Sequence, residues 1–262
     1  MAPLGFWRPG HVSAIRQDLL CPTRGHVEDA SDVIEFLVAL AVFLAAHLIP
    51  ASSGLRARLV PSMGRTGYLT AYSILSLGLL VWLILAAQRA DTILLWDAAP
   101  WQWHVPFAAM PLAAFLLVVG LVSPNPLSIS LRNGPDPGAI VAITRHPVLW
   151  AFLIWSVSHI PPNGTLVAFL LFGGMAVFSI LGFILLDLKA RKRLGRERWQ
   201  ALSARTSIIP FTALLSGRAP ASSLRLLIAP LVVATIGYAW FVLQGHALLI
   251  GPDPLEGFLA MR

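Results

Sequence analysis

The chain has 262 residues, of which 57% are hydrophobic and 12% charged, with a formal net charge of +7. A soluble domain carries about 25% charged residues, so this depletion and the mean hydropathy of +0.75 exclude an ordinary water-soluble fold. The basic balance does not point to nucleic acid: Lys and Arg gather around Arg56, Arg58 and Arg65 and again over residues 189–205, beside apolar runs, as the positive-inside rule produces.

Residues 1–30 lack the apolar stretch of a signal peptide and read as a polar, unstructured tail, or as residues ahead of a later true start. They hold Cys21, the single cysteine, so neither a disulfide framework nor a Cys-based metal site is available within the chain. Apolar runs of about 18 residues or more then recur, each long enough to cross a ~30 Å hydrocarbon core. They predict an all-α, polytopic membrane bundle of about six transmembrane helices.

The predicted spans are 33–51, 68–87, 105–122, 139–160, 165–188 and 224–243. Between the third and fourth, SPNPLSISLRNGPDPG carries four prolines and two glycines, which break regular structure. PPNG joins spans four and five into an antiparallel hairpin. In span five, Gly173, Ala176, Ser179 and Gly182 form a stripe of small side chains suited to close helix approach. The basic segment after it continues as an amphipathic stretch. Loop charge puts both termini outside and the Arg-rich loops inside, with Trp96, Trp101 and Trp103 as an aromatic belt at the outer interface. Arg8, Arg16 and Arg24 on the outer tail run against that rule. As domains, this gives a tail over 1–30, a membrane domain over 31–218, and an additional C-terminal helix and tail over 219–262.

Ionisable residues within a membrane are costly and mark candidate sites. His47 lies in span one, about 16 Å from its outer boundary, and His159 in span four, about 18 Å from its inner one, at 1.5 Å per residue. Both fall near the midplane, within a few ångströms of each other in depth. Two imidazoles on different helices suit bis-axial ligation of a b-type haem, whose apolar macrocycle a helical bundle can bury. The alternative is a pair of histidines satisfied by backbone carbonyls or a serine. Haem propionates need cations, and Arg56, Arg58 and Arg145 lie toward the inner face. Arg145-His146-Pro147 opens the membrane part of span four; Pro147 fits a first helical turn, and Arg145 can grip an anion bidentately or snorkel to headgroups. His11, His26, His104 and His246 read as structural or solvated, Asn163-Gly164 as a turn, and Asp187 and Lys189 as anchors at the inner end of span five.

Four blocks in this order, HLIPASSGLRARLVPSMGRTGY, ITRHPVLWAFLIWSVSHIPPNG, LDLKARKRLGRERW and TSIIPFTALLSGR, closely resemble the NnrU family of membrane proteins. The resemblance covers roughly residues 33–218 and implies an inner-membrane protein of bacteria associated with nitrite and nitric oxide metabolism, partnered with a nitric oxide or nitrite reductase system. A related branch, the 15-cis-zeta-carotene isomerases, implies haem b and isomerisation of a carotenoid double bond. The resemblance then implies His47 and His159 as metal ligands, with Arg56, Arg58, Arg145 and His146 near the cofactor. A further histidine used by the isomerase branch has no counterpart identified here. The ArgHisPro block and GRERW also resemble the isoprenylcysteine methyltransferases, which implies S-adenosylmethionine near Arg145, His146 and Glu197. Val148 and Leu149 stand where that group has a tyrosine, and ArgGluArg replaces its paired glutamates. A non-catalytic membrane partner is the remaining class.

Overall fold

The structure is a computed structural model that describes residues 24–260 apart from 53, 91, 92 and 133. Cys21, Arg8, Arg16 and His11 lie outside the described residues, as do the side chains of Arg24, His26, Arg56 and Arg65. The elements are α1 (Arg24–Ser52), α2 (Leu55–Arg89), α3 (Pro100–Val122), α4 (Pro147–His159), α5 (Leu166–Leu194), α6 (Arg196–Ser203), α7 (Thr212–Leu215), α8 (Ile228–Trp240), α9 (His246–Leu249) and α10 (Pro254–Ala260). Short 3-10 turns precede α4 and α8, and a π-turn over Phe241–Gly245 joins α8 to α9.

Five stretches are long and apolar enough to cross a membrane: Ser31–Leu48, Thr66–Arg89, Pro100–Val122, Leu166–Leu194 and Leu224–Leu249. Their outer faces present large apolar side chains, among them Ile74, Leu77, Ile184, Val233 and Ile236, all at least 60% exposed. Water would not tolerate so much contiguous apolar surface; lipid does. The bundle is a multi-pass membrane protein, as the composition requires. Its ends are distinguishable by residue type, and we call them the tryptophan face (Trp96, Trp101, Trp103) and the basic face (Arg191, Lys192, Arg193).

Several boundaries differ from the sequence expectation. α1 starts at Arg24, inside the expected tail, and α2 starts at Leu55, absorbing the expected Arg-rich loop with a kink at Gly64 (φ 71°). The last span runs to Leu249 through the π-turn rather than ending at 243. The main correction concerns span four. Instead of one helix over 139–160, the chain makes a 3-10 turn (Ala139–Ala142), four residues outside any helix (143–146), and then a helix of only 13 residues. That helix is about 20 Å long at 1.5 Å per residue, short of the ~30 Å core.

Pro147 explains the break. The residue before a proline is pushed out of the α region, and His146 adopts φ −124°, ψ 64°. The freed backbone groups are then taken up by the segment that follows α6. Arg145 N–H donates to the Ser207 carbonyl (2.8 Å) and Phe211 N–H to the Ile143 carbonyl (2.8 Å). The hydroxyls of Thr206 and Thr144 donate to the Val141 and Ile208 carbonyls (2.6 and 2.7 Å). Irregular backbone at membrane depth survives only when protein satisfies it in this way.

α4 is held between α3 and α5. A Cβ on Gly120 of α3 would lie 2.9 Å from Pro147 Cγ, and one on Gly182 of α5 would lie 2.9 Å from Leu149 Cδ2. Within the small-residue stripe, Ala176, Ser179 and Gly182 are at packed positions, whereas Gly173 faces open space. A second apolar cluster, built from Phe36, Ala39 and Phe43 of α1, Leu83 and Ala86 of α2, and Val167 and Met175 of α5, joins the first two helices to α5. At the tryptophan face the hairpin turn is pinned to the segment before α3: Leu95 N–H and Trp96 N–H both donate to the Gly164 carbonyl, at 2.7 and 3.2 Å.

Gly164 has no room for a side chain, because a Cβ there would fall 1.9 Å from the Trp96 carbonyl oxygen. Gly164→Ala is therefore expected to lower stability by more than about 3 kcal/mol, in the range of backbone-displacing substitutions. Gly173→Ala, into open space, should be neutral or slightly stabilising. Thermal unfolding of the two variants in one detergent measures the contrast; equal melting temperatures would contradict the close approach at Gly164.

Candidate functional site

Two groups of side chains contain the residues singled out from the sequence. The first occupies the basic end of α4 and α5. Asp187, on the last apolar turns of α5, reaches two residues of the broken segment: Oδ2 accepts a hydrogen bond and ion pair from Arg145, and Oδ1 accepts from His146 Nε2 at 3.1 Å. The side chains of Arg145, His146 and Asp187 are 10%, 0% and 17% exposed. His146 Nδ1 meets Ser128 Oγ at 2.8 Å, so the proline-rich loop between α3 and α4 joins the cluster.

That loop is ordered by its own turn chemistry and by α5 and α6. Asn125 accepts from Leu127 N–H through Oδ1 (3.0 Å) and donates through Nδ2 to the Arg145 carbonyl (3.0 Å). Arg193 donates to the Pro126 carbonyl, and Arg198 to that of Pro135 (3.1 Å). The Trp199 ring lies between two guanidinium groups, whose central carbons are 5.6 Å (Arg145) and 5.8 Å (Arg191) from its centroid, within cation–π range. Arg145 also contacts the Ser203 carbonyl (3.4 Å), while its Nε is buried without a partner.

The second constellation is aromatic. His47 on α1 packs against Phe43 (ring centroids 4.4 Å apart), Tyr72 of α2 (5.8 Å) and Phe178 of α5 (6.3 Å). His159 at the end of α4 packs against Trp155 (5.7 Å) and Phe172 of α5 (5.2 Å). In each ring Nδ1 lies 2.7 Å from the carbonyl four residues earlier, Phe43 for His47 and Trp155 for His159. A carbonyl only accepts, so Nδ1 carries the proton and a neutral ring keeps its lone pair on Nε2.

The structure thus places both expected ligands against α5, but not at one depth. Phe172 and Phe178 are six positions apart, about 9 Å along the helix axis, a wider separation than the few ångströms expected. The expectation set Pro147 at the inner boundary of a full-length span, whereas the short α4 delivers His159 nearer the tryptophan face. Arg145 and His146 are brought together with Asp187 instead of with either imidazole. Asp187 lies nine positions beyond Phe178, about 14 Å along α5. Arg58 is exposed on the first turn of α2, and the Arg56 side chain lies outside the described residues. Glu197, on α6, is exposed. Among the described residues no group of three or more His, Cys, Asp or Glu side chains converges as a metal site.

Sequence reasoning missed Asp187 as a hub, reading it as an anchor, and did not single out Ser128, Asn125 or Trp199. The signal for Asp187 was present: an acid inside an apolar span demands a partner, and Arg145 had been assigned to the same face.

Removing one member of a buried ion pair strands the other charge, at a cost of about 3–5 kcal/mol, whereas replacing both with apolar groups is far less costly. Asp187→Asn should lower the unfolding temperature markedly, and Arg145→Met combined with Asp187→Leu should recover most of the loss. A double variant no better than Asp187→Asn would show that the cluster is held by something other than this pair.

The comparisons with known proteins agree with this architecture. A family profile described as NnrU protein matches residues 35–254, a range that contains His47, Ser128, Arg145, His146, His159 and Asp187. The chain is also 34% identical over 79 residues to the chloroplastic 15-cis-zeta-carotene isomerase of Arabidopsis thaliana, an overlap of 30% of this chain and 21% of that protein. The matched stretch thus spans about a fifth of the relative's length. No solved structure matches. With a match across most of its length, and with the membrane-spanning helices that the fold displays, this chain belongs to the NnrU family.

Proposed function

We infer that this protein binds b-type haem, which His47 and His159 would hold once movement of α1 or α4 closes their offset of about 9 Å along α5. The observation that carries the reading is the shared state of the two rings: each is fixed through Nδ1 by a backbone carbonyl at 2.7 Å, which orients the ring and leaves Nε2 to ligate. That bond alone is not distinctive, since exposed His104 is near its own carbonyl four residues back (Pro100, 3.2 Å). His47 and His159 add partial burial among Phe43, Tyr72, Phe178, Trp155 and Phe172, surfaces that suit a flat apolar macrocycle. Bound haem would supply one-electron chemistry, which the two imidazoles holding it would tune.

Family membership supports a role in nitrite and nitric oxide metabolism of bacteria, with the protein in the inner membrane beside a reductase system, as a redox partner, an assembly factor or a sensor of nitric oxide. A second reading, cis–trans isomerisation of a polyene entering from lipid, is favoured by the similarity to the zeta-carotene isomerase. It also draws on the partial exposure of Tyr72 and Phe178 beside His47. The methyltransferase reading has less support, because both ring nitrogens of His146 and the Arg145 terminal nitrogens already have protein partners.

Absorption spectra of detergent-purified protein, oxidised and then reduced, test the haem reading. A Soret band with sharp reduced α and β bands is expected, weakened in His47→Ala and His159→Ala and unchanged in His104→Ala. No Soret band after haem-sufficient expression would overturn it. Deletion then separates the roles: nitric oxide accumulation favours the first, loss of pigment in a carotenoid-producing host the second.

A further inference from the structure

The cluster at the basic face contains an arrangement that neither haem nor a structural ion pair requires. Ser128 Oγ, the His146 ring and the Asp187 carboxylate form a continuous chain, with links of 2.8 Å at Nδ1 and 3.1 Å at Nε2. The geometry sets the roles: Asp187, paired with the Arg145 guanidinium, accepts from Nε2–H, and the tautomer protonated at Nε2 has its lone pair at Nδ1, facing the Ser128 hydroxyl as an acceptor. This is the order of a serine nucleophile, its base and the acid that orients the base, recognised by geometry and role.

The surroundings match that use. His146 is fully buried and fixed at both nitrogens, so the base is pre-oriented. Ser128 is half-buried on the loop, next to exposed Ile129 (37%) and close in sequence to exposed Leu131 (76%). Apolar side chains exposed on a proline-rich loop at the end of a membrane bundle sit at the interface, the depth at which the ester groups of acyl lipids lie. Arg193, held on the Pro126 carbonyl two residues before Ser128, brings a cation to the same edge.

We propose that Ser128 is the nucleophile of a Ser128–His146–Asp187 triad that cleaves carboxylic esters whose acyl chain lies in the bilayer. Ser128 Oγ bonds to the ester carbonyl carbon as its proton passes to His146 Nδ1. The C–O bond to the alcohol then breaks, and Nδ1 returns the proton to the leaving alkoxide. Water, entering from the basic face, attacks the acyl-serine carbonyl and gives its proton to Nδ1; that proton returns to Ser128 as the fatty acid leaves. Ester and water become alcohol and acid, with no change of oxidation state.

The test uses the full chain in detergent or lipid nanodiscs with a fluorophosphonate probe, and peptide mass spectrometry to locate the adduct. Expected are a covalent adduct on Ser128, none in Ser128→Ala, and turnover of a long-chain p-nitrophenyl ester that Ser128→Ala reduces at least ten-fold. Wild-type protein that is monodisperse and helical yet shows neither an adduct on Ser128 nor ester turnover that Ser128→Ala abolishes overturns the proposal. A second measurement guards against a loop too shielded for a bulky probe. In Ser128→Cys the same base should activate the thiol, so iodoacetamide should modify Cys at 128 at least ten-fold faster than Cys in Ile129→Cys, although position 129 is the more exposed. Equal or slower reaction at 128 would mean that His146 merely tethers the loop.

Discussion

Asp187 is the group on which the rest of the structure depends. A carboxylate near the end of an apolar helix is tolerable only with partners, and it takes two from one short stretch, Arg145 and His146. Those contacts hold residues 139–146 in a non-helical path against α5. Loop residues Asn125 and Ser128 then close over that path, and the chain after α6 seals it from the other side. Without the carboxylate, a buried guanidinium would lose its counter-charge and a fully buried imidazole its acceptor, at a cost that packing alone does not offset. Apolar burial among α3, α4 and α5 supplies the bulk of the packing, but Asp187 decides which backbone conformation that packing surrounds.

Much of this was legible in the residues because lipid imposes a simple rule. Helices must be apolar for about 20 residues and must satisfy their own backbone, so hydropathy located five of six spans and the α4–α5 hairpin. The fourth span misled because residues 139–143 are as apolar as the helices, and hydropathy does not distinguish a helix from irregular backbone satisfied by distant protein. The proline at 147 was read as a helical first turn, which is correct, but its effect on residue 146 was not carried through to the segment before it. The stripe from Gly173 to Gly182 was a correct reading of close packing at three of its four positions, and Gly173 shows that a period alone does not identify the neighbour.

The candidate sites were legible in proportion to how local their chemistry is. His47 and His159 stood out because ionisable residues are rare in apolar runs, and their hydrogen bonds to carbonyls four residues back are set by helix geometry. The Asp187 cluster is assembled from residues about 18 to 60 positions apart, so its geometry depends on the packing of α4 on α5 and on the path of the proline-rich loop. Arg145 illustrates the difference. As an isolated residue it reads as a cation available to an anionic ligand; in the fold its charge is spent on Asp187 and its planar face on Trp199.

The irregular segment before α4 also constrains the order in which the protein can be made. Its backbone and side-chain partners lie at residues 206–211, and the side-chain links span 63 to 65 positions of sequence. The native path of this segment is closed only once the chain through Phe211 is in place, so this part of the bundle is completed late, after α5 and α6.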